Sequence, residues 1–260
     1  MQRFGQLNHQ KAVFLRIALG LCLLAYWQDL VRDFGFFCFD SPVPVWNLIL
    51  PSALASGPAA VTLQLAGVCG AVLLIAGRGA RFGALLCWIW LAWLSAGNHF
   101  LYEVQFDYLG WMLIGFALFH ARGDSRLLER LALWVMGISY SAAGVVKTSS
   151  SFWNSGDTFR NLELTARSTE LSLAFPWMTP LVSILQLFAL PLLAFRRTAP
   201  WAWLSLSMMQ LGMLIGYRIE RITIPMLLFH FLAFQQEWQD WIVARSGRRT
   251  VEAGTDQLLR

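Results

Sequence analysis

Tyr140, Gly144 and Lys147 are the residues of this chain best placed for chemistry, in the segment SYSAAGVVKTSSSFWNSG from Ser139 to Gly156. On a helix, offsets of four and seven put all three on one face. The glycine lets a neighbouring helix or a ligand come close. A lysine ending an apolar run can act as a general base when burial favours its neutral amine, a role closed to arginine. It can equally stretch its amine to lipid headgroups and act only as an anchor. A second constellation is Asn98-His99-Phe100-Leu101-Tyr102-Glu103, followed by Asp107. If this stretch is helical, Glu103 lies one turn from His99 and can orient the imidazole. The alternative is a polar hairpin at a water boundary. Tyr217, Arg218, Glu220 and Arg221 form a third group, able to hydrogen-bond a ligand oxygen or a carboxylate or simply to pair among themselves. His230, inside an apolar run, is either functional or a helix–helix hydrogen bond.

The elements that must carry these residues are membrane helices. Hydrophobic residues make up 57% of the 260 positions and charged ones only 13%, and mean hydropathy is +0.53. Such values lie far from those of an ordinary soluble domain. Eight apolar runs approach the roughly 20 residues needed to span a bilayer: 12–31, 59–76, 82–99, 104–121, 127–146, 178–195, 200–217 and 222–238. The expected fold is all-α, a polytopic bundle of about eight spans. Spans three and four meet at a very tight turn, and Gln235, Gln236 and Glu237 close the last span early. Residues 1–244 form a single membrane domain, and 245–260 a polar cytoplasmic tail.

Charge sets the orientation. With the N-terminus inside, 13 of the 20 basic residues fall on inner segments, among them Lys11, Arg78, Arg81, Arg126, Arg130, Arg196 and Arg197. Every short inner loop is then basic, as the positive-inside rule requires. Both termini are expected to be cytoplasmic, with Lys147, His99 and Arg218 on the outer side. Arg16, five residues past Lys11, is expected to snorkel inward. The net charge of +5 is spread over separate inner connections, which suits membrane lipid headgroups and argues against a nucleic-acid partner. Trp27, Trp46, Trp153, Trp177, Trp201, Trp203, Trp238 and Trp241 lie near span ends, where indole rings favour the interface. The N-terminal run is too long for a typical signal peptide and has no small-residue cleavage site after it. Cys22, Cys69 and Cys87 read as small core hydrophobes and Cys38 as an outer thiol, giving neither a disulfide framework nor a metal site. The 147–177 connection carries Phe159, Leu162, Leu164 and later Leu171, Leu173 and Phe175, a pattern for short helices lying on the outer surface.

The pattern Asn98-His99-x-Leu101-Tyr102, then Ala143-Gly144-x-x-Lys147, then Trp153 and Gly156, resembles the vitamin K-dependent gamma-carboxylases. More broadly it resembles the bacterial HTTM-domain proteins, which share their transmembrane region, and Arg16-Ile17-Ala18-Leu19-Gly20 is similar to that domain's opening. The resemblance covers roughly residues 10–235. It implies that Lys147 is the base that deprotonates reduced vitamin K or menaquinol, with His99 assisting and the active side outward. Oxygen then converts the quinol to an epoxide, and the strong base so formed can remove a glutamate gamma proton ahead of carboxylation. Tyr140 and Trp153 would wall the pocket, with Asn98, Tyr102, Glu103 and Arg218 contributing to substrate binding. Three departures weigh against peptide carboxylation. No counterpart of the large lumenal domain follows, the Lys147–Trp153 interval is one residue longer, and the first outer loop reads Phe39-Asp40-Ser41-Pro42.

The leading expectation is therefore a quinol-handling membrane enzyme binding a lipid-soluble quinol. A different class is a non-enzymatic membrane component that assists maturation, export or immunity of a secreted peptide or protein. A transporter is third, because the span interiors hold few ionisable groups beyond Arg16 and His230.

Overall fold

The computed structural model describes residues 2–39, 57–97, 105–119, 125–150, 180–217 and 220–238. Each of the eight apolar runs carries a helix; the sixth is broken at Phe188, and the helix of the last ends at Ala233, short of the expected 238. In chain order the helices are α1 (Gln2–Phe39), α2 (Gly57–Ala76), α3 (Ala80–Gly97), α4 (Gln105–Phe119) and α5 (Ser125–Ser149). They continue with α6 in two pieces (180–187 and Ala189–Ala194), α7 (Ala199–Gly216) and α8 (Glu220–Ala233). The fold class is all-α, with no strand among the described residues. Two stretches, Gln10–Arg32 and Arg126–Ser149, are long and apolar enough to cross a membrane, and Val61–Ala76, Ala80–Ser95, Phe106–Leu118 and Ile222–Ala233 are shorter apolar helices.

Neighbours in sequence pack together along the first half, α1 on α2, α2 on α3 and α3 on α4. The closest of these contacts is made by glycine. A Cβ on Gly83 would fall 2.6 Å from the Gly70 carbonyl oxygen, so α2 and α3 touch backbone to backbone. Helix α8 joins the halves, packing against α1, α4, α5 and α7. That central place explains why Thr223, Phe229 and His230 are buried in it.

The core is apolar but carries several polar side chains, and the outer surface is apolar as well. Gln64, Ser183, Gln186, Gln210, Thr223 and His230 face inward, while Phe14, Leu21, Leu65, Phe82, Ile138, Leu181, Trp201 and Ile215 are exposed. An outward apolar surface of this extent marks contact with something other than water. Several buried polar groups find partners inside, as Trp90 Nε1 does by donating to Gln64 Oε1 at 3.2 Å. The cysteines divide where the sequence suggests a common core role. Cys87 is buried, Cys22 is half-buried, and Cys69 lies exposed on α2.

Charged groups collect at one end of the bundle. Lys11 on α1 pairs with Glu129 on α5 at 2.9 Å, both buried. The lysine also donates to the carbonyls of Leu232 and Phe234, and the second Glu129 oxygen accepts the Gln236 amide at 3.0 Å. Nearby, Glu237 meets Arg130 at 3.1 Å and Arg196 at 3.5 Å. The Arg16 guanidinium lies over Gly77, in the turn between α2 and α3 that carries Arg78. The basic residues assigned to inner segments at Lys11, Arg130 and Arg196 thus come together from α1, α5 and the α6–α7 turn.

Candidate functional site

Helix α5 presents its small residues to α6. Gly137, Ser141 and Gly144 recur every three or four positions, and Lys147 follows on the same face. A Cβ on Gly144 would fall 2.6 Å from Leu187 Cα and 2.7 Å from the Gln186 carbonyl carbon, so here too two backbones are in direct contact. This approach brings Gln186 to the end of α5, where Lys147 Nζ donates to its Oε1 at 2.7 Å. The other side of the same amide meets Met209 Sδ on α7 at 3.7 Å. Lys147 is half-buried in the last turn of α5, where the helix dipole favours a cation.

The break in α6 has a sequence cause and a tertiary remedy. Pro191 has no N–H to offer the Leu187 carbonyl, which would be left bare in an apolar setting. Ser141 repairs this from α5. Its hydroxyl donates to the Leu187 oxygen at 3.0 Å and accepts the Leu190 N–H at 2.9 Å. Replacing Ser141 with alanine strips both backbone groups of their partner, at about 1–3 kcal/mol for a buried group left unsatisfied. The Ser141→Ala protein is expected to unfold in detergent with a loss of about 2 kcal/mol by denaturant titration, and to loosen the Lys147–Gln186 contact nearly two turns further along α5.

Tyr140 shares the face of Lys147, but its hydroxyl is engaged deeper in the bundle. Gln210 Nε2 on α7 donates to the Tyr140 oxygen at 2.7 Å, and the same oxygen lies 2.8 Å from His230 Nε2 on α8. His230 Nδ1 is 2.8 Å from Ser207 Oγ, and Trp203 Nε1 donates to the His230 carbonyl at 2.8 Å. Of the two roles open to His230 in the sequence, the helix–helix hydrogen bond is the one seen. The network ties α5, α7 and α8 into one unit. Gln210 is only 2% exposed, and its Oε1 has no hydrogen-bond partner among the described residues.

The remaining residues expected at the site, Asn98, His99, Tyr102, Glu103, Trp153 and Arg218, lie outside the described residues. Asp107 stands exposed in the first turn of α4 and lines a hollow of about 290 Å³ with Trp88, Ser95 and Trp111. Sequence reading did not anticipate Gln186, Ser141, Gln210 or Ser207. The available signal was polar residues three apart within apolar runs, Ser183 with Gln186 and Ser207 with Gln210, each pair marking an inward helical face. It also missed Glu129, a carboxylate inside the fifth apolar run whose position near the basic end matches Lys11. Among the described residues, no group of His, Cys, Asp and Glu side chains is arranged to hold a metal ion.

Compared with known proteins, the chain matches no family model, no curated protein and no solved structure.

Proposed function

We propose that this protein is an integral protein of the bacterial cytoplasmic membrane, crossing it eight times with both termini inside, and that Lys147 is the base of an outward-facing quinol site. One observation carries the reading: a lysine amine is held by an amide, Gln186 Oε1 at 2.7 Å, where Gly144 brings α5 and α6 into backbone contact. Membrane insertion is supported by the apolar outer surface and by the basic cluster at one end. From Glu129 in that cluster, Lys147 is 18 residues along the same helix, or ~27 Å at 1.5 Å per residue, close to the ~30 Å of a hydrocarbon core. An apolar hollow of about 430 Å³ along the exposed face of α6, from Leu181 past Phe188 to Phe195 and Thr198, suits a hydrophobic tail. In this reading the Lys147 amine takes a proton from a quinol hydroxyl. Oxygen then adds to the ring, one oxygen atom staying in the epoxide and the other leaving as water with the quinol's two hydrogens.

The test compares wild type, Lys147→Ala and Lys147→Arg in nanodiscs supplied with vitamin K hydroquinone or menaquinol and oxygen. A general base contributes roughly 10²–10⁴-fold, so both variants are expected to lose epoxide formation by at least about 10²-fold in oxygen uptake and mass spectrometry. Arginine keeps the charge but cannot serve as the base. Activity retained in Lys147→Arg therefore makes the residue an anchor and rejects the proposal.

A second reading is a non-enzymatic membrane component that assists a secreted peptide or protein. It is favoured by the engagement of Tyr140 with His230 and Gln210, which assigns that hydroxyl to holding helices together. Absence of epoxide from wild type, with no quinone in its lipid extract, selects this second reading.

A further inference from the structure

At the basic end, between the α6–α7 turn and the residues following α8, lies a cleft of about 590 Å³. Its floor is aromatic. Trp203 stacks near Phe234 and Trp238 with ring centroids 4.8 and 6.0 Å apart, and Phe234 and Trp238 are 5.6 Å apart. The Trp203 N–H is spent on the His230 carbonyl, so the indole is fixed in place. Arg196, Arg197 and Glu237 form the rim, with Trp201 and Leu204 on the open side. Glu237 is shared by Arg130 and Arg196, and Arg197 makes no ion pair among the described residues. Among the described residues, three guanidinium groups therefore meet one carboxylate, a surplus of two positive charges around the mouth.

The cleft also continues outward. Trp201, Leu204, Met208, Leu211 and Ile215 are exposed on α7 at spacings of three and four, a single apolar stripe that starts at the arginines. From Trp201 to Ile215 it extends ~21 Å at the helical rise, somewhat more than the ~15 Å depth of one leaflet's hydrocarbon.

We propose that this cleft binds an anionic glycerophospholipid, with the phosphate against Arg196 and Arg197 and one acyl chain along the α7 stripe. Arginine suits a phosphate through its planar fork of donors. The surplus charge favours a head with net negative charge over a zwitterionic one, and the apolar stripe distinguishes a lipid from a soluble phosphate. The proposal rests on the membrane reading above and is independent of any role for Lys147.

The test is native mass spectrometry of the full chain, carrying phosphatidylglycerol or phosphatidylcholine, with glycerol phosphate as soluble competitor. Wild type is expected to retain phosphatidylglycerol preferentially. Each juxtamembrane arginine contributes about fivefold to anionic lipid binding, so Arg196→Gln with Arg197→Gln should weaken retention by at least about tenfold. Glu237→Gln removes the competing carboxylate and should strengthen it by about fivefold. A misfolded protein would not bind more tightly, so the opposite sign of this variant separates lost binding from lost structure. Equal retention of the two lipids, weaker binding in Glu237→Gln, or displacement by glycerol phosphate alone overturns the proposal. Sedimentation after alkaline carbonate washing of both kinds of vesicle tests the membrane reading separately. Release from both vesicles rejects that reading, whereas retention in both without lipid preference rejects only the lipid site.

Discussion

Gly144→Ala is expected to destabilise the protein by about 2–3 kcal/mol, and Gly144→Leu to prevent α5 and α6 from assembling at all. Overpacking a filled interior typically costs about 1–3 kcal/mol, and more when no neighbour can yield. At Gly144 the obstructing atoms are Leu187 Cα and the Gln186 carbonyl carbon, 2.6 and 2.7 Å from the new Cβ, and neither is a side chain that can rotate away. The matched control is Gly212→Ala on α7, where no atom lies within 4 Å of the added Cβ. Alanine is about 1 kcal/mol better than glycine inside a helix, so this control should be neutral or slightly stabilising. Denaturant unfolding of both variants in one detergent makes the comparison direct. Equal behaviour of the two would mean that the α5–α6 contact contributes nothing. The Gly144 variants should also impair any function that depends on Lys147, because Gln186 reaches the lysine only through that contact.

Breaking the Lys11–Glu129 pair is expected to cost about 3–5 kcal/mol from either side, since removal of one partner leaves an uncompensated buried charge. The pair is unusually well satisfied. Lys11 has three donors and meets three acceptors, Glu129 Oε1 and the carbonyls of Leu232 and Phe234, while Glu129 Oε2 takes the Gln236 amide. Joint replacement by apolar residues, Lys11→Met with Glu129→Leu, removes both charges and should be milder than either Lys11→Ala or Glu129→Ala alone. Recovery should be incomplete because two carbonyls and one N–H still lose a partner. A double-mutant cycle read by unfolding midpoints measures the coupling. Additive losses would show that the two charges do not depend on one another.

Much of the architecture was legible along the chain because hydrophobicity is a local property. An apolar run in the register of a helix forms one wherever it packs, so each of the eight runs from 12–31 to 222–238 carries a helix, while the break at Phe188 and the early end at Ala233 fall where proline and polar residues interrupt the run. The grouping of Lys11, Arg130 and Arg196 at one end agrees with the sequence reading that assigned all three to inner segments. Tyr140, Gly144 and Lys147 could be placed on one face from their offsets alone. Partners could not be read this way, because a hydrogen bond between Lys147 and Gln186 joins residues 39 apart through a helix contact that no local pattern encodes. The same holds for Tyr140 with His230 and for Lys11 with Glu129, separated by 90 and 118 residues. Sequence by itself determined the helices, their apolar character and the face that carries Lys147. Only the tertiary structure decided which polar groups meet, since burial makes each of them find a partner and packing alone selects which one is within reach.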